Sequence, residues 1–190
     1  MTHQESLARL KEGNARFVED HLDGKLQNSS RRNSLTGGQE PFAIILGCAD
    51  SRVVPELAFD TGLGELFTVR VAGNVANTSS IASIEYAVAN LGSKLIVVIG
   101  HQSCGAVTAA VNGGDNGYNL NHLLGHITPA LALSNQHDEI NDIVKINAKL
   151  TAKELVTRSS IIKDAVDAGE VNIVYAYYHL DTGKVEFLNS

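Results

Sequence analysis

Only two cysteines, no tryptophan and no apolar run of membrane-spanning length occur in this 190-residue chain. Two cysteines allow at most one disulfide, a sparse framework for a domain of this size, which excludes a disulfide-built scaffold. A bilayer-crossing helix needs about 20 consecutive, mostly apolar residues, so without such a run no membrane partner is expected. The opening MTHQESLARLKEGNARF scatters charges among its apolar residues and lacks the apolar stretch of a secretion signal, which makes the cytoplasm the expected location. Basic residues are outnumbered too: 15 against 21 acidic ones gives a net charge of -6, and the longest Lys/Arg run is Arg31-Arg32. Nucleic acid is therefore not an expected partner.

What is present suits a single buried core. The chain is 44% hydrophobic and shows no internal repeat, low-complexity tract or linker. One domain over 1–190 is expected, with 1–38 as an N-terminal helix and arm and 39–190 as the core. From Ser6 to about Glu19 the residues Leu7, Leu10, Phe17 and Val18 share one helical face. The polar stretch HLDGKLQNSSRRNSLTGGQEP then reads as a long arm with at most a short helix.

Three apolar, β-branched runs follow, from Phe42 to Leu46, Leu66 to Val71 and Leu95 to Ile99. They are continuous rather than alternating, as in strands buried on both faces. Between the second and third, SSIASIEYAVANLG places Ile81, Ile84, Tyr86, Ala87, Val88 and Leu91 on a well-buried helix closed by Gly92. This β-α-β unit implies a parallel sheet. Helical segments are expected in GAVTAAVNGG, in NHLLGHITPALAL with Pro129 disturbing it, and from Glu139 to Ala168. VNIVYAYYHL reads as a further strand, and Thr182-Gly183 before KVEFL as a hairpin turn into an antiparallel edge strand. The long C-terminal helix, with Ile143, Val144, Leu150, Leu155 and Val156, reads as core or subunit interface.

Both cysteines stand at strand ends. Cys48 directly follows FAIILG, and Cys104 comes just after LIVVIG with His101 between. Open α/β sheets gather ligands at the carboxyl ends of their strands. His101-x-x-Cys104 with a distant Cys48 makes a Cys2His set that would leave the fourth tetrahedral position of zinc open. Inert thiols and a hydrogen-bonded histidine are the plainer alternative. Beside Cys48, Asp50 and Arg52 can pair in a forked hydrogen bond that keeps the carboxylate ionised and acceptor-only, unless they are merely a surface ion pair. Gly105 follows Cys104 where a helix begins, so backbone N–H groups would face the thiolate.

CADSR at 48–52 and HQSCGAV at 101–107 resemble the two signature motifs of the β-class carbonic anhydrases. GLGELFTVRVAGNVA, IEYAVANLGSKLIVVIGH, KEGNARF and VYAYYHLDTGKV also resemble that family, so the likeness covers nearly the whole chain. It is weakest in the arm near Asn28 and from Gly113 to about Asp138. The fold expected is α/β: a mostly parallel sheet of order 2-1-3-4 plus an antiparallel edge strand, flanked by helices, with an N-terminal helical arm. The resemblance implies one Zn2+ per subunit on Cys48, His101 and Cys104, with Asp50 and Arg52 as a catalytic dyad. It implies that the Gln39 amide and the Gly105 N–H orient substrate. In plant-like members aromatic residues from a partner subunit close the pocket; Phe67 and Tyr86 occupy the matching places, so a homodimer or homotetramer is expected.

The implied activity is reversible hydration of carbon dioxide to bicarbonate and a proton, by hydroxide on the zinc oriented by Asp50. A catalytic zinc can bring the pKa of bound water from 15.7 to about 7, roughly 12 kcal/mol. Two departures stand out. Val54 intervenes before Pro55 where the family often has proline straight after the valine of its first motif. Ile45 stands where the bicarbonate-regulated branch has tryptophan, although Arg70 and Tyr178 are present. A carbonyl sulfide or carbon disulfide hydrolase with the same centre is the enzymatic alternative. A non-catalytic zinc or redox-sensing module is the other, but a sensor would want a resolving cysteine, and there is none. His122 and His126, four apart on an expected helix, could form a second metal site but suit ordinary solvent-facing histidines. His3, His21, His137 and His179 show no metal-site pattern, and Asp60, Glu65 and Glu85 fit solvated turns or helix faces.

Overall fold

The structure, a computed structural model, describes residues 1–189. The chain opens with α1 (His3–Val18) and α2 (Ser29–Ser34), then β1 (Ala43–Gly47), α3 (Pro55–Ala58), β2 (Leu66–Arg70) and α4 (Thr78–Leu91). Next come β3 (Leu95–His101), α5 (Gly105–Asn112), α6 (Tyr118–Gly125), α7 (Thr128–Leu133) and α8 (Ile140–Arg158). The chain closes with α9 (Ser160–Asp167), β4 (Asn172–Tyr178) and β5 (Val185–Phe187).

α1 starts earlier than its apolar spacing suggests, because Thr2 and Glu5 form a capping box that satisfies the first free N–H groups. Leu10 is buried and Leu7 and Phe17 pack on the core, but Val18 is exposed in the last turn, against expectation. The docked face is completed by the polar Ser6 and Asn14. Ser6 Oγ donates to the Phe42 carbonyl at 2.9 Å. Asn14 Nδ2 donates to the carbonyls of Ala58 and Gly183, both at 2.9 Å, while Asn14 Oδ1 accepts from the Val185 N–H at 2.8 Å.

The five strands lie in the order β2-β1-β3-β4-β5, the first four parallel and β5 antiparallel to β4. That is the expected sheet, with its hairpin at Gly183. Alternate residues of β1 and β3 go to opposite faces. Ala43, Ile45, Leu95, Val97 and Ile99 join Leu10 and Phe59 in one core cluster. Ile44, Leu46, Ile96 and Val98 join Ile84, Leu155 and Ile162 in the other. Both strands are buried at every position, but β2 is only half-buried because it is an edge strand with one neighbour.

The helices differ in detail from their sequence patterns. α4 ends on Gly92 in the left-handed conformation, as expected, but only Ser80, Ile81, Ile84 and Ala87 are buried, and Tyr86 is 51% exposed. Pro129 does more than disturb one helix: it sits in the first turn of α7, after a break at His126-Ile127. The helical stretch from Glu139 divides at Ser159, whose hydroxyl caps α9 by accepting from the Ile162 N–H. Among the described residues no helix is long and apolar enough to cross a membrane.

Candidate metal centre and active site

From β1 the chain continues sideways to β2 and, after α4, returns to β3 on the other flank of β1. Strand order therefore reverses between β1 and β3, the place where ligands gather in open α/β sheets. Cys48 leaves the end of β1, His101 ends β3, and Cys104 caps the start of α5. Their ligand atoms lie within 4.8 Å of one another, and all three residues are buried. No other group of this kind occurs among the described residues, and His122 and His126 have only each other, ring centroids 5.5 Å apart.

The donor set fits a thiophilic divalent ion. His101 Nδ1 lies 2.9 Å from the Gln102 carbonyl, which can only accept, so the proton is on Nδ1 and Nε2 offers its lone pair. That Nε2 is fully buried and has no hydrogen-bond partner. A buried acceptor left unpaired is costly unless a ligand takes it up, and a metal between Nε2 and two sulfurs would do so. The thiols are prepared unequally. Cys48 is pushed well below the ordinary thiol range, chiefly by the hydrogen bond from Cys104 and, against burial, by His101 and the Gly73 N–H at 3.3 Å. Cys104 is pushed up, first by donating its proton to Cys48 and then by burial, although the Ala106 and Val107 N–H groups opening α5 favour its thiolate. A metal taking the place of the shared proton would hold both sulfurs as thiolates.

Asp50 stands beside this set, its Oδ2 3.9 Å from His101 Nε2. Arg52 grips it in a fork, Nε to Oδ1 at 2.9 Å and Nη2 to Oδ2 at 2.7 Å, and the Arg52 N–H also donates to Oδ1 at 2.9 Å. Those guanidinium bonds hold the Asp50 carboxyl well below the usual carboxylate range despite partial burial. Oδ1 thus takes two donors, whereas Oδ2 takes one and keeps a lone pair free on the side of His101.

Several positioning contacts carry no motif of their own. Arg70 Nε donates to the Cys48 carbonyl at 2.9 Å and its Nη2 to the Asp50 carbonyl at 2.6 Å, bracing the loop between ligand and carboxylate. Gln102 Oε1 accepts from the Leu180 N–H at 2.9 Å, and Asn141 Oδ1 accepts from the Ser103 N–H at 2.9 Å. In the sequence Gln102 adjoins His101 and Asn141 lies at the start of an apolar helix, whereas Arg70 stands out only as a charge closing an apolar strand.

Not every expected site residue joins the cluster. Gly105 does, as the first residue of α5. Gln39 lies four residues before β1 while Cys48 lies just after it, so the strand itself, roughly 16 Å long at 3.3 Å per residue, separates them. Phe67, the second residue of β2, pairs with Ile44, and Tyr86 is on the outer face of α4. Gln39 and Tyr86 both line a shallow groove with Arg32, Leu35, Gly64 and Leu91 beyond the opposite end of β1.

Comparison with known proteins agrees with this geometry. A family model described as carbonic anhydrase matches residues 43–185. The chain is 41% identical over 182 residues to carbonic anhydrase 2 of Mycobacterium tuberculosis, covering 92% of this chain and 87% of that one. It is 40% identical over 183 residues to the carbonic anhydrase of Mycolicibacterium smegmatis, covering 93% and 89%. Its fold superposes on the Coccomyxa β-carbonic anhydrase solved with acetazolamide, TM-score 0.77 at 25% identity, covering 96% of this chain and 86% of that one. One of two tetrameric β-carbonic anhydrases of Sordaria macrospora gives 0.73 at 25%, covering 86% and 88%. With its Cys2His cluster at the β1/β3 switch point and its sheet order shared with these structures, the chain belongs to the β-carbonic anhydrases, zinc enzymes that hydrate carbon dioxide.

Proposed function

We propose that this chain carries out reversible hydration of carbon dioxide with Asp50 and Arg52 as its working pair and one Zn2+ per subunit on Cys48, His101 and Cys104. The observation that carries the reading is the buried, unpartnered His101 Nε2, set among two cysteine sulfurs and 3.9 Å from an Asp50 oxygen with a lone pair to spare. Zinc supplies a water acidified to near neutral pH, and so a nucleophile that bulk water does not offer. Asp50, kept ionised by Arg52, accepts a hydrogen bond from the nucleophile at Oδ2 and so turns its lone pair toward carbon dioxide. Arg52 fixes the carboxylate and stops it from swinging onto a neighbouring donor. Gly105 is exposed at the positive end of α5, and its N–H suits the negative charge that develops as bicarbonate forms.

Gln39, Phe67 and Tyr86 serve the site of a second copy, because none of them reaches the Cys48 end of its own sheet. A tetramer, as in the Sordaria relatives, or a dimer would supply that arrangement.

The test is stopped-flow carbon dioxide hydration across pH on protein of measured zinc content, alongside sulfide release from carbonyl sulfide. Turnover that needs zinc and falls about 10²- to 10⁴-fold in Asp50→Ala is expected. Fully zinc-loaded protein that is inactive on carbon dioxide at every pH but releases sulfide would move the assignment to the sulfur analogue.

A further inference from the structure

α8 is the longest helix of the chain, and most of its buried residues are the apolar ones expected of core. Asn147 breaks that pattern. It sits in the middle of the helix, only 2% exposed, in a place where an amide is costly unless it is bonded. Its Nδ2 donates to the Gly73 carbonyl at 2.8 Å, across 74 positions of sequence. Gly73 in turn donates its N–H to Cys48 Sγ at 3.3 Å.

Glycine suits position 73. Its backbone is left-handed, φ 69 and ψ 15, and an added Cβ would lie 2.8 Å from Ile127 Cδ1 and 3.3 Å from Ala106 Cβ. Glycine eases the left-handed turn and the close approach, but glycine is also the residue with the widest choice of φ and ψ. The peptide that must aim an N–H at the sulfur is thus intrinsically the loosest in the loop. A bond that pins the Gly73 carbonyl restrains ψ at that residue and, with the tight packing by Ile127, keeps its N–H on line. α8 reaches the other ligand loop as well, where Asn141 holds the N–H of Ser103, a residue with φ 55 directly before Cys104.

We infer that Asn147 is a positioning residue of the metal centre, acting through Gly73 to hold the N–H···S hydrogen bond on Cys48. The inference rests on Cys48, His101 and Cys104 binding zinc. Partners that orient a metal ligand typically account for 10- to 100-fold in metal affinity or activity. The full-length protein is therefore compared with Asn147→Ala and with Asn147→Leu, which keeps about the size of the side chain but has no N–H to give. Zinc affinity is measured by chelator competition, at a temperature where circular dichroism shows each variant folded. The thiolate-to-metal charge-transfer band is recorded on the cobalt-substituted forms.

Both variants are expected to bind zinc about 10- to 100-fold more weakly, with a shifted or weakened charge-transfer band. Unchanged affinity and an unchanged band in a folded variant, whatever its thermal stability, would overturn the inference and leave Asn147 a structural residue. So would failure of both variants to fold, since the role of Asn147 would then lie in the fold rather than in the ligand. Wild-type protein that binds no zinc would instead overturn the reading of the centre itself.

Discussion

Asn14 offers the sharpest test of how this fold is held, because one buried side chain joins three distant segments. Its amide serves Ala58 at the end of α3, Gly183 in the last hairpin and Val185 on β5, at 2.8 to 2.9 Å in each case. Asn14→Ala removes all three partners at once. The Val185 N–H, in a residue only 7% exposed, becomes a buried orphan donor worth about 1–3 kcal/mol, and each lost bond to a carbonyl costs about 1 kcal/mol more. The expected loss is about 3–5 kcal/mol, a large part of the 5–15 kcal/mol typical of a domain. Urea unfolding followed by circular dichroism at constant zinc reads it directly. Asn14→Asp refines the test. It keeps the acceptor for Val185 but faces two carbonyls with a carboxylate, so its folded pKa lies above the unfolded value near 3.9. For an acid shifted that way there is no penalty from ionisation below the unfolded pKa; the penalty grows as pH rises through the window and is complete above the folded pKa. The Asn14→Asp deficit should therefore be larger at pH 7 than at pH 4. A loss under about 1 kcal/mol in Asn14→Ala, or an Asn14→Asp deficit that does not vary with pH, would refute the three-way junction.

Two further outcomes follow from the same geometry. Gly13→Ala should destabilise the protein although alanine improves a helix interior by about 1 kcal/mol, because its Cβ would run into the backbone carbonyl of Phe59 against which α1 is docked; a rise in the thermal midpoint would show that α1 can shift without cost. Stripping zinc with a chelator should lower the thermal midpoint, since a ligand bound only by the folded state at 1,000 times its Kd contributes about 4.1 kcal/mol; calorimetric scans that superpose with and without chelator would deny the metal a place at this centre.

Much of the site was legible because its chemistry sits in short local patterns. Cys48, Asp50 and Arg52 lie within five residues, and His101 and Cys104 within four, each group at the end of an unmistakably apolar strand. Spacing of that kind survives folding unchanged, so the forked Asp50–Arg52 pair and the shared strand-end edge could be expected from the letters alone. The helix caps were less legible: Thr2 with Glu5 and Ser159 with Ile162 moved boundaries that apolar periodicity placed elsewhere. Tyr86 and Val18 were misjudged because periodicity reports which residues could be buried, whereas burial also requires a neighbour to cover them.

The sequence by itself determined the sulfur and imidazole donors at the strand ends, the Asp50–Arg52 pair and the alternation of strands with helices, all of which depend on contacts within a few residues. Only the tertiary structure decided that β2 is half-buried rather than covered on both faces, that Gln39 stands a strand's length from Cys48, and that Asn147, Arg70 and Asn14 work at long range. The reason is physical: a buried amide or guanidinium is placed by whichever unpaired carbonyl or N–H the packed layers leave beside it. That pairing is set by the crossing of elements far apart in the chain, which no local spacing encodes.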